Sequence, residues 1–250
     1  MAIPDQAAAG CGPRLHLPRL IVFWTSVSLL TASYALLLPA ILLPRRCVRA
    51  IVRSYLAIVL WLLRKIFWLR WDILGDLSAA RGPVLVAAKH QSGFETLILQ
   101  YELGDPAIIL KRELLSIPLF GLVLRRLGHI GVDRSGDLDA ARQLLAAARQ
   151  ALEEGRPVLI FPEGSRREVG APPDYKAGVE LLYAVLKAPC IPVAVNSGRV
   201  WPAKALTPGA GVIMVEFLPP IEPGMPRAAF GERLQGDIEE ATARLLQLPP

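Results

Sequence analysis

From Gly82 onward, short apolar runs alternate with amphipathic stretches. Val84-Leu85-Val86-Ala87-Ala88 is a continuous apolar run behind Gly82-Pro83, which predicts a buried strand over about 84–89. A helix is predicted over about 93–103, then a strand over about 107–111. Ser116-Ile117-Pro118 opens a helix that stops near Gly128, and His129 to Asp133 fits a short strand. Within 137–154, Leu138, Ala141, Leu144, Leu145, Ala148 and Leu152 share one helical face, which Gly155 ends. Strands are predicted at about 157–161, 190–195 and 212–217, and helices at about 176–187 and 230–246. This alternation implies an α/β fold, with a mixed, largely parallel sheet flanked by helices.

The N-terminal part has another pattern. Leu20 to Leu43 runs 24 residues without a charge. As one helix it would measure roughly 36 Å, against a bilayer hydrocarbon core of about 30 Å. A tilted transmembrane helix is therefore expected, with Pro39 as a kink or stop. The stretch is too long for the apolar region of a signal peptide, and no small-residue cleavage site follows it. In the next stretch, 50–70, the longest uncharged core is Ser54 to Leu63, too short to span. Trp61, Phe67, Trp68 and Trp71 lie among Arg53, Arg64, Lys65 and Arg70, the mixture expected of a helix at the lipid headgroups. The expected organisation is a tail at 1–19, membrane-anchoring helices at 20–70 and a catalytic domain at 71–250.

Charge sharpens this division. The chain carries a net +6, yet residues 1–70 hold nine basic residues and one acid, while the remainder holds 19 basic and 21 acidic residues. The basicity belongs to the membrane-flanking segment, and no nucleic-acid partner is expected. Arginines beside an apolar segment fit anionic membrane lipids. Arg45, Arg46, Arg49 and Arg53 follow the apolar run, and only Arg14 and Arg19 precede it, which places the larger part in the cytoplasm. Cys11, Cys47 and Cys190 are scattered, with neither a disulfide framework nor metal-ligand spacing, and they suit a reducing compartment. No metal site is expected. No Gly-x-Gly-x-x-Gly follows a strand, and neither a P-loop nor a Gly-x-Ser-x-Gly elbow is present.

Two segments carry chemistry. Lys89-His90-Gln91-Ser92-Gly93-Phe94-Glu95 follows the first predicted strand. It presents an imidazole at a strand end, with a carboxylate on the first turn of the next helix. A neutral imidazole takes a proton from a hydroxyl, and a carboxylate behind it holds the tautomer and stabilises the cation. Ser92-x-x-Glu95 also matches a capping box, in which Glu95 reaches back to the Ser92 N–H. Phe161-Pro162-Glu163-Gly164-Ser165-Arg166 follows the strand at 157–161 and reads as a turn bearing a phosphate-binding guanidinium on Arg166 or Arg167. Lys111, Arg112 and Arg134 end or follow other predicted strands. In an open α/β sheet, strand ends gather at one edge, where ligands bind.

These segments resemble the glycerolipid acyltransferase family, specifically bacterial 1-acylglycerol-3-phosphate O-acyltransferases. Four blocks match in order. His90 to Glu95 is similar to the His-x4-Asp block, Lys111 through Arg134 to the second block, and Phe161 to Arg166 to Phe-Pro-Glu-Gly-Thr-Arg. Ile191-Pro192-Val193-Ala194-Val195-Asn196 is similar to the fourth, apolar block. Glu95 replaces the usual Asp, moving the carboxylate by one methylene, and Ser165 replaces Thr with the hydroxyl kept. The resemblance implies acyl transfer from a thioester to the sn-2 hydroxyl of lysophosphatidate. His90 would be the general base and Glu95 its orienting carboxylate. Lys111, Arg166 and Arg134 would hold the phosphate, and Glu163, Gly164 and Ser165 would shape the binding turn. No cofactor is implied beyond acyl carrier protein or acyl-CoA as co-substrate, at the cytoplasmic face of a cell inner membrane. Other expectations weighed beside it are another lysolipid acceptor such as a lyso-ornithine lipid, an inactive lipid-binding protein, and a thioester hydrolase.

Overall fold

The apolar runs pair side by side, and the sheet they form sets where the chemistry lies. The computed structural model of the chain describes residues 16–133 and 138–248. Helix α1 (His16–Ala35) leads through a 3-10 helix, Leu38–Leu42, into α2 (Arg45–Phe67) and strand β1 (Leu69–Gly75). Then come β2 (Leu85–Ala88), α3 (Phe94–Glu102), β3 (Ala107–Lys111), a 3-10 helix Arg112–Ser116, α4 (Phe120–Arg126) and β4 (Ile130–Val132). The remainder is α5 (Leu138–Glu153), β5 (Val158–Ile160), α6 (Gly178–Leu186), β6 (Cys190–Val195), α7 (Ser197–Val200), β7 (Gly211–Phe217) and α8 (Arg227–Gln247).

The sheet runs β1-β7-β6-β2-β5-β3-β4. Every neighbouring pair is parallel except β6–β7. The expected mixed, largely parallel sheet is therefore present. Strand β2 is buried on both faces, as a helix-covered parallel strand must be. Val86 and Ala88 pack with Leu63 and Phe67 of α2 and Phe94, Ile98 and Leu99 of α3. Leu85 and Ala87 point the other way, to Ala148 of α5, Leu182 of α6 and Phe230 and Leu234 of α8. The period-2 alternation of a strand thus feeds two separate cores, one on each side of the sheet.

The N-terminal segment departs from expectation. The uncharged stretch is not one helix: α1 ends at Ala35, and Pro39 is the second residue of the 3-10 helix that follows. Proline lacks the N–H and crowds the preceding turn, so the stretch is split and α2 folds back on α1. Thr31 Oγ1 meets Tyr55 Oη at 3.0 Å, Tyr34 Oη meets Ser54 Oγ at 2.8 Å, and the two tyrosine rings pack edge to face. Among the described residues, no helix is long and apolar enough to cross a membrane. The transmembrane helix expected at 20–43 is corrected accordingly: besides the break, α1 carries Thr25, Ser26, Ser28, Thr31 and Ser33.

Helix α2 also reaches further into the fold than its aromatic and basic composition suggested. Val59, Leu60, Leu63 and Phe67 are buried in the sheet's core beside Phe23 of α1. Arg45 pairs with Asp105 at 3.1 Å and Glu154 at 2.6 Å, and Arg49 pairs with Asp105 at 3.2 Å. Arg53 lies over the Tyr101 ring and donates to the Tyr101 carbonyl. Three arginines that the sequence assigns to lipid headgroups therefore fasten the hairpin to the domain.

Candidate active site

Strand β2 ends at Ala88, and the Lys89 N–H still bonds the Val193 carbonyl of β6 at 2.9 Å. The chain then turns, with His90 half-buried at the turn. Ser92 Oγ accepts the Phe94 N–H at 2.9 Å while Glu95 accepts the Ser92 N–H at 3.1 Å. The Glu95 half of the expected capping box is present, but Gly93 is the N-cap and the serine bonds the Phe94 N–H in place of the Glu95 N–H. The same carboxylate takes the Gln91 N–H at 3.0 Å, Ser92 Oγ–H at 2.9 Å and the Ser197 hydroxyl from the start of α7. It is wholly buried. Glu95 Oε2 stands 3.8 Å from His90 Nδ1, too far for a hydrogen bond, and Nδ1 is buried without a partner. Capping and standing behind the imidazole are thus done by one side chain.

Strand β5 delivers the second segment alongside. The Phe161 ring stacks on His90 at 4.2 Å between centroids. Gly164 has φ +66° and returns its N–H to the Phe161 carbonyl at 2.9 Å, a turn that a side chain at 164 would strain. The Arg167 N–H bonds the His90 carbonyl at 2.8 Å, which ties the two segments together. Glu163 is buried. Its Oε1 meets Lys89 Nζ at 2.8 Å, and its Oε2 accepts the His90 N–H at 3.3 Å. Lys89 Nζ also reaches Glu239 of α8 at 2.6 Å, and Tyr175 donates to that same carboxylate at 3.0 Å. Burial, then the Glu239 and Glu163 charges, push the Tyr175 hydroxyl up, so it remains a donor. Glu163 therefore holds the turn to the strand bearing His90.

Of the two arginines, Arg167 is engaged with the Pro172 carbonyl and Asp174. Arg166 is exposed and has no protein partner among the described residues. Its guanidinium borders the first segment: a Cβ added to Gly93 would lie 3.8 Å from Arg166 Nη2. Lys111, at the end of β3, is exposed and, among the described residues, paired only with Glu113, at 3.0 Å. An exposed pair of this kind contributes little and yields to a stronger anion. Arg134 lies outside the described residues.

One cavity of about 1570 Å³ joins these groups. His90, Lys111, Gly164, Ser165 and Arg166 line it, as do Glu163 and Lys176. From there it extends between apolar walls, with Leu38 and Ile41 of the first 3-10 helix, Val52 and Leu56 of α2, and Leu119 and Phe120 at the start of α4. His129 is also on its wall. Burial, then the nearby Arg156 charge, push its imidazole down to about 3, and its Nδ1 accepts the Ile108 N–H at 3.2 Å. His129 is thus a neutral acceptor in a structural bond.

Sequence reasoning missed Ser197, the Phe161–His90 stack, the Lys89–Glu163–Glu239 cluster and the α1–α2 wall of the cavity. Ser197 follows the fourth block directly, which is the one signal that pointed near it.

A family model described as Acyltransferase matches residues 73–196, the span holding both segments. A 1-acyl-sn-glycerol-3-phosphate acyltransferase from Pseudomonas aeruginosa is 32% identical over 201 residues, covering 79% of this chain and 78% of that protein. The chain belongs to the acyltransferase family. A Helicobacter pylori protein of the same description is 29% identical over 162 residues, covering 64% of this chain and 68% of its own. The crystal structure of a 1-acyl-sn-glycerophosphate acyltransferase from Thermotoga maritima shares the fold. Its TM-score is 0.73 at 19% identity, with 94% of this chain and 97% of that one covered. Within the family frame, the His90 and Phe161 segments are the parts that the geometry brings to one cavity.

Proposed function

We propose that the chain transfers an acyl group from a thioester to the sn-2 hydroxyl of 1-acylglycerol-3-phosphate, giving phosphatidate. The observation that carries this reading is the shared cavity: an imidazole and an exposed guanidinium at one end, apolar walls along the rest. Such a space suits a lipid with an anionic head. The names of the relatives support the same acceptor.

His90 Nδ1 lies on the Glu95 side, which leaves Nε2 for the acceptor. As Nε2 takes the hydroxyl proton, the oxygen attacks the thioester carbonyl carbon. The tetrahedral adduct collapses with cleavage of the C–S bond, and the imidazolium returns its proton to the departing thiolate. Glu95 is placed to stabilise that imidazolium, and no acyl-enzyme is required. Arg166 and Lys111 bind the phosphate of the acceptor, with the planar fork of Arg166 suited to two oxygens at once. The donor is an acyl thioester of coenzyme A or acyl carrier protein.

The proposed setting is the cytoplasmic face of a cell inner membrane, reached by lying on the surface. Two apolar lips border the cavity. One is the turn of the α1–α2 hairpin, where Leu36 and Leu42 are 81% and 84% exposed. The other is Leu119-Phe120, both about half exposed, beside Leu114 and Ile117. Arg126 of α4 donates to the Leu43 carbonyl, so the lips adjoin. Exposed Arg46 and Arg125 lie next to them in the chain, suited to anionic headgroups.

Two variants test the chemistry with purified protein, lysophosphatidate and either thioester. His90→Ala should lower kcat by roughly 10²–10⁴-fold, the usual contribution of a positioned base; transfer persisting within a few-fold would remove His90 from that role. Arg166→Ala should raise the KM for lysophosphatidate about tenfold or more, with Arg166→Lys in between. An unchanged KM would place the phosphate elsewhere.

A further inference from the structure

The base at His90 needs a carboxylate held at a fixed distance, and in this chain that carboxylate belongs to the longer Glu95. A glutamate has one more torsion than an aspartate, so its carboxylate has more positions to lose on being fixed. Most of the groups that fix it here are local. The Gln91 and Ser92 N–H groups and Ser92 Oγ sit on the same turn as His90 and move with it. The Ser197 hydroxyl comes from another part of the sheet, at the end of β6, and donates to Glu95 Oε1. Oε2, the oxygen facing His90 Nδ1 at 3.8 Å, accepts the Ser92 N–H at 3.1 Å and the Ser92 Oγ–H at 2.9 Å and lies on the histidine side.

The surroundings of Ser197 are built for this contact. Ser197 is fully buried. The next residue, Gly198, gives its N–H to Gln91 Oε1 at 3.0 Å. A Cβ at 198 would stand 2.7 Å from Val169 Cγ2 and 3.0 Å from Gln91 Cβ, so only glycine lets α7 press this closely on the His90 turn. The ionised carboxylate only accepts, so the Ser197 O–H bond to it is charge-assisted and directional.

We infer that Ser197 is a positioning residue for acyl transfer: its hydroxyl pins Glu95 Oε1 so that Oε2 waits behind His90 and closes on Nδ1 when the imidazole takes the acceptor's proton. The unpartnered Nδ1 is the vacancy that this closure fills. The inference rests on the reading of His90 as base.

The test uses the full chain with lysophosphatidate and a thioester donor, with kcat, KM and Tm measured for each variant. Ser197→Ala should lower kcat about tenfold while the acceptor KM stays within about twofold, because orientation is lost and binding is not. Ser197→Thr keeps the hydroxyl and should retain most of kcat. Ser197→Cys keeps the volume with a weak donor and should fall like Ala even if Ala itself lowers Tm. In a Glu95→Asp background, where the carboxylate is drawn back from Oγ, Ser197→Ala should cost less than about twofold, so the two changes are not additive. An unchanged kcat in Ser197→Ala, full activity in Ser197→Cys, or equal losses in both backgrounds would overturn the inference. A wild type that acylates no lysolipid would overturn the parent reading and this inference together.

Discussion

His90 and His129 are both on the cavity wall, yet their surroundings give them opposite uses. His129 is buried, its Nδ1 accepts a backbone N–H, and Arg156 stands close. Burial first, and the guanidinium second, depress its imidazole from the ordinary 6.5 to about 3. The fold therefore favours the neutral form, and its contribution is fully present above about pH 6.5. It is lost progressively as pH falls from there toward about 3, because the unfolded chain binds the proton that the folded one refuses. His129→Asn offers an acceptor oxygen to the Ile108 N–H without a titrating group. Thermal melts should show the wild-type Tm falling more steeply than that of the variant between about pH 6 and about pH 4. Parallel curves would mean that His129 is not what limits acid stability. The placement of His90 beside Glu95 was legible in the sequence, since His90 stands at a predicted strand end with Glu95 on the first turn of the next helix. That Glu95 would need Ser197 was not legible: the contact joins residues far apart in the chain, and serine after an apolar strand is an ordinary helix start.

At the scale of elements, local pattern was enough wherever an element's partners are dictated by its own periodicity. The strands β2, β3, β5, β6 and β7 and the helices α3, α5, α6 and α8 lie within a few residues of their predicted positions. Most are bounded by glycine, proline or a charge; the helices and β7 show a period, and β2, β5 and β6 are short continuous apolar runs. Strand β1 and the short helix α7 were not predicted, and α4 was predicted with an earlier start. Strand β1 pairs with β7, from Leu69 beside Gly211 to Gly75 beside Phe217, so its partner is nearly the whole domain away. Its sequence also runs on from a helix, with Trp68 at φ +54° as the break, a conformation that a non-glycine residue seldom announces. The helix predicted from Pro118 starts later, at Phe120, because Leu119 adopts φ +62° and interrupts the turn. The arginines of α2 show the same limit for charge. Composition suggested headgroups, but Asp105 and Glu154, supplied by distant loops and helices, take Arg45 and Arg49 first. Counting charges along the chain cannot see which of them a fold will use internally.

For the whole molecule, the question is how a lipid reaches the proposed base, His90, set at a sheet edge. The parallel order places the C-terminal ends of β2, β3, β5 and β6 together, so His90, Lys111, the 161–166 turn and Ser197 share one side of the sheet. The α1–α2 hairpin then roofs this edge and converts an open crevice into an elongated cavity. The proposed bilayer contact would let an acyl chain enter without crossing water, through the exposed apolar residues of the hairpin turn and Leu119–Phe120, next to the cavity lining at Leu37, Leu38 and Ile41. Leu119 is held outward by a left-handed backbone that its own side chain disfavours, so its exposure is fixed by the chain's path. Removing the two side chains' share of burial in lipid, as Leu119→Ser with Phe120→Ser, should cost about 2–4 kcal/mol of transfer free energy, or more than about tenfold in vesicle partitioning. Co-flotation with vesicles of mixed anionic and zwitterionic phospholipid measures this directly. The same variant should lose less activity on a short-chain, water-soluble lysophosphatidate than on a vesicle-borne one, since Leu119 and Phe120 also line the cavity and their loss as wall is common to both assays. Equal flotation of wild type and variant would leave the hairpin turn as the membrane contact, and equal losses on the soluble and vesicle-borne acceptors would confine Leu119 and Phe120 to the cavity wall.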